Sequence, residues 1–255
     1  MTTLIRHPYL DHPGPIPFAH RGGAADGLEN TAAQFRRALE AGYRYLETDV
    51  HATRDGKLVA FHDATLDRVT DGAGRIAELL WSDVRRARVA GKEPVPLFEE
   101  LLEAFPEARW NVDLKAEPAL HPLLNLIGRA NAWDRVCVGS FSEARVVRAQ
   151  RLAGPRLATS YGTRGVLGLR LRSWGLPAAP RRPAVAAQVP ESQSGVPVVD
   201  ARFVRAAHAR GLQVHVWTVN EPERMHRLLD LGVDGIMTDH IDTLRKVMEE
   251  RGTWA

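Results

Sequence analysis

Between residues 20 and 63 the chain reads HRGGAADGLENTAAQFRRALEAGYRYLETDVHATRDGKLVAFHD. The residue types in this stretch can do chemistry, and their spacing puts them together. His20 and Arg21 end one apolar run. Glu47, Asp49 and His51 alternate out of the next, and His62 and Asp63 follow an Asp55-Gly56 turn. Further on, Asn111, Asp113 and Lys115 alternate in the same way. The imidazoles of His20 and His62 can move protons near neutral pH and are the natural acid/base pair. Arg21 can grip a phosphate through two N–H groups, and Lys115 can act on it as a point charge. Three carboxylates, Glu47, Asp49 and Asp113, crowded in a poorly solvated place require a cation. An all-oxygen set of this kind suits Mg2+ or Ca2+. A structural ion network with Arg21, Arg44 or Lys115 is the competing reading of the acids. The convergence of His20, His62, Asp113 and Lys115 favours the metal site. Of the 34 basic residues only Lys57, Lys92, Lys115 and Lys246 are lysines, so a lysine inside an apolar run is conspicuous.

These groups meet only if the elements carrying them share one end. Residues 43–52 have period two, with Leu46, Thr48 and Val50 facing one way and Glu47, Asp49 and His51 the other. Residues 29–41 have helical spacing and end at Gly42, a C-cap signal. Residues 58–61 return as a hairpin arm, and 64–96 read as an irregular connection holding one short helix. Strands followed by helices then start near 17, 45, 110, 136, 157, 184, 213 and 235. Eight such units in 255 residues predict an α/β fold, a (β/α)8 TIM barrel with a short insertion after strand two, as one domain over 1–255. A doubly wound sheet also alternates strand and helix, but no Gly-rich dinucleotide fingerprint follows the first strand.

In such a barrel the reactive groups collect at the C-terminal ends of the strands. That rule gathers at one mouth His20, Arg21, Glu47, Asp49, His51, His62 and Asp113. It adds Lys115, Ser140, Ser142, Gln188, Glu191, His215 and Trp217. Trp217 reads equally as core or as a substrate wall. His121, His208 and His226 read as surface residues and Cys137 as core. The arginine- and proline-rich segment 162–183 reads as an irregular, mobile connection, and residues 1–16 as an irregular leader.

A net charge of +3 with mixed signs gives no nucleic-acid or membrane footprint. One cysteine permits no internal disulfide, and no apolar leader or uncharged span of 18 residues occurs, so a cytoplasmic protein is expected. No strong apolar lip or amphipathic flank is visible, and nothing in the sequence fixes the oligomeric state.

The blocks FAHRGG (18–23), ENT (29–31), LETDVH (46–51), DGKLV (55–59) and HDATLDRVT (62–70) resemble the glycerophosphodiester phosphodiesterase family. So do VPLFEELL (95–102), NVDLK (111–115), VHVWTVN (214–220) and GVDGIMTDH (232–240). The resemblance spans nearly the whole chain. It implies a TIM barrel with an insertion near strand two and metal-dependent hydrolysis of a small glycerophosphodiester to glycerol 3-phosphate and an alcohol. It implies His20 and His62 as acid and base, Glu47 and Asp49 as metal ligands, and Arg21 and Lys115 near the phosphate. The family commonly has Glu-x-Lys on strand three, where this chain has Asp113-Leu114-Lys115, which leaves Glu117 as the alternative ligand. A proline that often precedes the ENT triplet is Leu28 here. Lysophospholipid hydrolysis and non-catalytic phosphate binding are the rival expectations.

Overall fold

The computed structural model describes residues 7–177 and 183–255. Eight parallel strands form one sheet: β1 (Ile16–Ala19), β2 (Tyr45–Ala52), β3 (Arg109–Leu114), β4 (Val136–Gly139), β5 (Ala158–Thr159), β6 (Ala186–Pro190), β7 (Gln213–Trp217) and β8 (Gly235–Thr238). The paired order runs β5-β4-β3-β2-β1-β8-β7-β6. Two backbone hydrogen bonds, Val185 N–H to Thr159 O and Tyr161 N–H to Ala186 O, both 2.9 Å, join β6 to β5 and close the ring. The expected strand positions all fall within or beside these eight, so the fold is a (β/α)8 barrel.

The helices that follow the strands are α1 (Ala32–Glu40), α2 (Phe98–Ala104), α3 (Leu120–Arg129), α4 (Glu143–Ala153), α5 (Thr163–Ser173), α6 (Ala201–His208), α7 (Pro222–Asp230) and α8 (Ile241–Glu250), and one further short helix, Trp81–Val84, lies in the 64–96 connection as expected. Local sequence explains their ends. Thr31 caps α1 by accepting from Gln34 N–H. Gly42, in the left-handed region, stops it with paired bonds from Gly42 N–H to Leu39 O and Tyr43 N–H to Ala38 O. Among the described residues no helix is long and apolar enough to cross a membrane.

Helix α5 corrects the reading of 162–183 as irregular. Only Leu169 of this helix is fully buried, so Gly165, Gly168 and the interspersed arginines leave no apolar stripe for periodicity to find. Residues 178–182 of that reading lie outside the described residues. The leader is corrected over residues 7–16, while residues 1–6 of that reading lie outside the described residues. Pro8–Leu10 forms a short 3-10 turn whose Tyr9 and Leu10 are buried. The Tyr9 ring meets Tyr45 edge-on at 5.5 Å, and the Tyr45 hydroxyl donates to Tyr9 O at 2.7 Å. With Ile16, Phe18, Cys137, Ala158 and Met237 they fill the lower barrel.

The insertion after β2 has a small core of its own, built on Val59, Phe61, Leu66, Ile76, Val84, Val89 and Val95. Its first arm, Leu58–Ala60, pairs antiparallel with β2. Phe61 N–H donates to Asp49 O at 2.9 Å. That bond brings the next residue, His62, to the barrel mouth.

Candidate active site

The register sets the acids side by side. Glu47 pairs with Asn111 and Asp49 with Asp113 across β2 and β3, so all four point to the barrel interior. Beneath them, Gln188 donates to Asn111 Oδ1 at 2.7 Å and lies 3.3 Å from His215 Nδ1, while His215 Nε2 meets Gln213 at 2.8 Å. His215 therefore belongs to a buried polar layer below the mouth, not to the mouth itself. Burial pushes its pKa down to about 3 and keeps it neutral.

His20, Arg21, Glu47, Asp49, His62, Asp113, Lys115 and Trp217 all line one cleft of about 570 Å³ at the C-terminal ends of the strands. Other expected members fall elsewhere. His51 turns to His62 O at 3.1 Å, Ser142 caps α4, and Glu191 binds Arg224 and Arg227. Glu117 pairs with Arg148 at 2.5 Å and is half-exposed, so Asp113 is the carboxylate of this region that faces the cleft. Cys137 is buried in the lower barrel, which pushes its thiol pKa well up.

The loop after β1 turns back on itself. Arg21 takes φ 50°, and Gly22 takes φ 85° where a Cβ would lie 2.9 Å from Gln34 Cβ. The turn lets Arg21 N–H donate to Glu47 Oε2 at 3.0 Å. His20 donates through Nδ1 to Asp239 Oδ1 at 2.7 Å, and its Nε2 is 3.8 Å from Glu47. Burial alone would lower the His20 pKa, but Glu47 and Asp239 outweigh it and raise it. His62 is held alike through Nδ1, 2.6 Å from Asp63 Oδ1. Asp63 in turn receives Arg68 Nε at 2.5 Å, a bond that brings its pKa down to about 2. Arg68 also binds Glu29, and Glu29 binds Arg21 Nη1 at 3.1 Å.

Lys115 Nζ lies 2.8 Å from Asp49 and 2.7 Å from Asp113. Burial would raise the Asp49 pKa, but Lys115 and then Arg21 pull it below the ordinary value. For Asp113, burial outweighs the pull of Lys115, and its pKa stays raised. Glu47 is pushed up to about 7 by burial and then by Asp49. As the side chains stand, no three His, Cys, Asp or Glu groups among the described residues meet in a metal-holding arrangement. Lys115 fills the place between two of the acids. The pairing of Lys115 with Asp113 is thus real, and it extends to Asp49.

Sequence reasoning gave no role to Asn30, Glu29, Arg68 or Asp239. Asn30 donates to Asp49 Oδ2 at 3.0 Å and accepts from Thr48 Oγ1 at 2.7 Å. Asn30 and Glu29 lay in the ENT block, Arg68 in HDATLDRVT and Asp239 in GVDGIMTDH, which is the only signal that pointed to them. The structure also reveals an apolar lip that the sequence did not. Phe141 is 62% and Leu167 57% exposed, and both line the cleft.

A (β/α)8 barrel that gathers two carboxylate-anchored histidines, an arginine, a lysine and three acids at its mouth has the make-up of a phosphoric diester hydrolase. The profile of the glycerophosphoryl diester phosphodiesterase family matches residues 20–243, and the chain belongs to that family. It is 44% identical to a probable glycerophosphodiester phosphodiesterase 2 of Mycobacterium tuberculosis, over 96% of this chain and 95% of that one. It is 29% identical to the human lysophospholipase D GDPD1, over 89% and 84%. An Oleispira antarctica phosphodiesterase, solved with the product sn-glycerol-3-phosphate, shares the fold with a TM-score of 0.79 at 23% identity, over 92% and 97%.

Proposed function

We propose that the protein hydrolyses glycerophosphodiesters to glycerol 3-phosphate and an alcohol by two-histidine acid/base catalysis. The observation that carries this reading is Arg21. Its Nε is buried with no hydrogen-bond partner, 3.3 Å from Asp49 without bonding geometry, in a cleft that holds both anchored histidines. The Arg21 side chain as a whole is 17% exposed and lines the cleft, so its guanidinium can offer its remaining N–H groups to a phosphoryl oxygen. Lys115 adds a second positive charge beside it.

Asp239 and Asp63 each take an Nδ1–H, which fixes the tautomer and leaves both Nε2 atoms for the substrate. One Nε2 accepts the proton of the attacking hydroxyl, from water or from the neighbouring glycerol hydroxyl. The other, which starts as the imidazolium with both nitrogens protonated, gives its Nε2 proton to the departing alcohol oxygen as the bond to phosphorus breaks. The two carboxylates stabilise the imidazolium on either side of the transfer.

We assign a divalent cation, Mg2+ or Ca2+, to Glu47, Asp49 and Asp113. The raised Glu47 pKa supports it, because two adjacent buried acids are under-neutralised by the protein alone. Asp113 can join that set only as Lys115 releases one of its two carboxylates. When bound, such an ion supplies Lewis acidity at a phosphoryl oxygen and lowers the pKa of a coordinated hydroxyl. The single buried cysteine supports a cytoplasmic setting.

The test is release of glycerol 3-phosphate from purified protein over a panel of water-soluble glycerophosphodiesters. Turnover should fall about 10²–10⁴-fold in His20→Ala and His62→Ala, the range for a lost acid/base group. Near wild-type turnover in either variant would end that group's assignment. Full activity after thorough chelation would remove the metal.

A further inference from the structure

The cleft has two unlike halves. The ends of β1, β2, the hairpin and β3 supply its imidazoles, cations and acids. Across from them, the segments after β4 and β5 supply Phe141, Tyr161, Val166 and Leu167, and the last residues of β6 and β7 supply Pro190 and Trp217. The Phe141 ring meets Trp217 edge-on at 5.7 Å, and Lys115 Nζ lies 5.8 Å from the centre of the same ring. The apolar wall therefore begins beside the cation that would face the phosphate.

Large apolar side chains left more than half exposed at a cleft mouth forgo burial worth roughly 25 cal/mol per Å². A contiguous patch of that kind marks a ligand surface. The charge on this wall says which ligand. Among the described residues lining it there is no carboxylate, and its one ionisable cation, Arg170, is held by Asp200 at 2.8 Å. An amine or quaternary ammonium head group would find no counter-charge there, with Lys115 already against the aromatic pair. A neutral chain finds only carbon.

We infer that the Phe141–Leu167–Trp217 wall is a subsite for an aliphatic chain on the substrate, so that the preferred glycerophosphodiester is lipid-derived, as a lysophospholipid is. The inference rests on the hydrolase reading for its phosphate end and on the wall for the chain. The chain can be carried by the glycerol or by the leaving alcohol, and both present the same methylenes.

Calorimetric binding of three phosphomonoesters, which needs no turnover, separates these cases. The probes are glycerol 3-phosphate, its 1-hexanoyl ester and hexyl phosphate, all short enough to stay monomeric. At least one chain-bearing probe should bind ten-fold or more tighter than glycerol 3-phosphate, since each buried methylene contributes about 0.8 kcal/mol, close to four-fold. A gain for the hexanoyl ester puts the chain on the glycerol, and one for hexyl phosphate puts it on the alcohol. Leu167→Gln, at an exposed position where folding is not at stake, should cut that gain roughly four-fold, about one methylene's worth. In turnover, kcat/KM for 1-hexanoyl-lysophosphatidylcholine should exceed that for glycerophosphocholine, and Leu167→Gln should shrink the ratio. Equal binding of all three phosphomonoesters overturns the subsite. Chain-dependent binding with no hydrolysis of any diester overturns the hydrolase reading and leaves the subsite standing.

Discussion

Lys115→Met tests whether this lysine holds the charge balance of the site. Its side chain is 17% exposed, and its ammonium touches Asp49 and Asp113, whose side chains are 2% and 16% exposed. Three cleft carboxylates face two permanent cations, Arg21 and Lys115, and Arg21 is shared with Glu29. Methionine keeps most of the stem volume and removes only the charge. Stripping one partner from a buried ion pair costs about 3–5 kcal/mol. Arg21 stays near Asp49, so the lower end, about 3 kcal/mol, applies. At roughly 2–4 °C per kcal/mol for a chain of this size, Tm should fall by about 6–12 °C in cation-free buffer. A divalent cation competes with Lys115 for the same acids, so it should restore more stability to the variant than it adds to the wild type. An ion at 100 times its Kd stabilises by about 2.7 kcal/mol, enough to recover most of the loss. Melting curves with and without Mg2+ or Ca2+ measure this, with Lys57→Met, at an exposed position, as the control. A cation-free Tm within about 1 °C of wild type would refute the charge argument. An equal gain from the ion in both proteins would refute the competition.

Three further outcomes follow from the same contacts. Asp239→Asn keeps a hydrogen bond to neutral His20 but loses the one that favours its charged form. The raised His20 pKa stabilises the fold fully below about 6.5, and that contribution is lost as pH rises through the folded value. The variant should therefore lose about 1.5–3 kcal/mol at acidic pH and less at alkaline pH, and a pH-independent loss in chemical denaturation would contradict the assignment. Arg68→Ala should change stability by no more than about 1 kcal/mol, because the side chain is half-exposed. It should still lower kcat roughly ten-fold with little change in KM, by freeing Asp63 and hence His62. Arg68→Lys, which cannot reproduce the fork, should not rescue it. Tyr9→Ala should cost about 3–5 kcal/mol in denaturant titrations, the range for a fully buried aromatic, and a loss under 1 kcal/mol would mean Tyr9 does not seal the barrel base.

The eight strands were legible because each is an apolar run bounded by turn residues, and period two on β2 and β3 put Glu47, Asp49 and Asp113 on one face. Depth along a strand was not legible. His215 and Trp217 share a face, yet one is sealed in the barrel and the other lines the cleft, because alternation fixes the side and says nothing of the layer. The supporting pairs were hidden for another reason. Asp239 lies 219 residues from His20 in the chain, and Arg68 39 from Glu29, so only closure of the barrel brings them together. Helix α5 escaped because its glycines and arginines leave it with no stripe, and the apolar lip escaped because sequence does not distinguish an exposed Phe141 or Leu167 from a buried one.

The small core of the insertion has a consequence for how the protein loses activity. His20 is anchored to the barrel through Asp239, the residue that follows β8 beside β1, whereas His62 rides on the insertion, which has an apolar centre of its own. Units of that size open locally at free energies below that of global unfolding. Each such opening carries one of the two histidines away from the other while the barrel ring stays closed. On the proposed two-histidine reading, catalytic competence should therefore be lost at a lower free energy than the fold. Amide exchange across residues 58–95 reports the first, and exchange in β1, β2 and β8 the second.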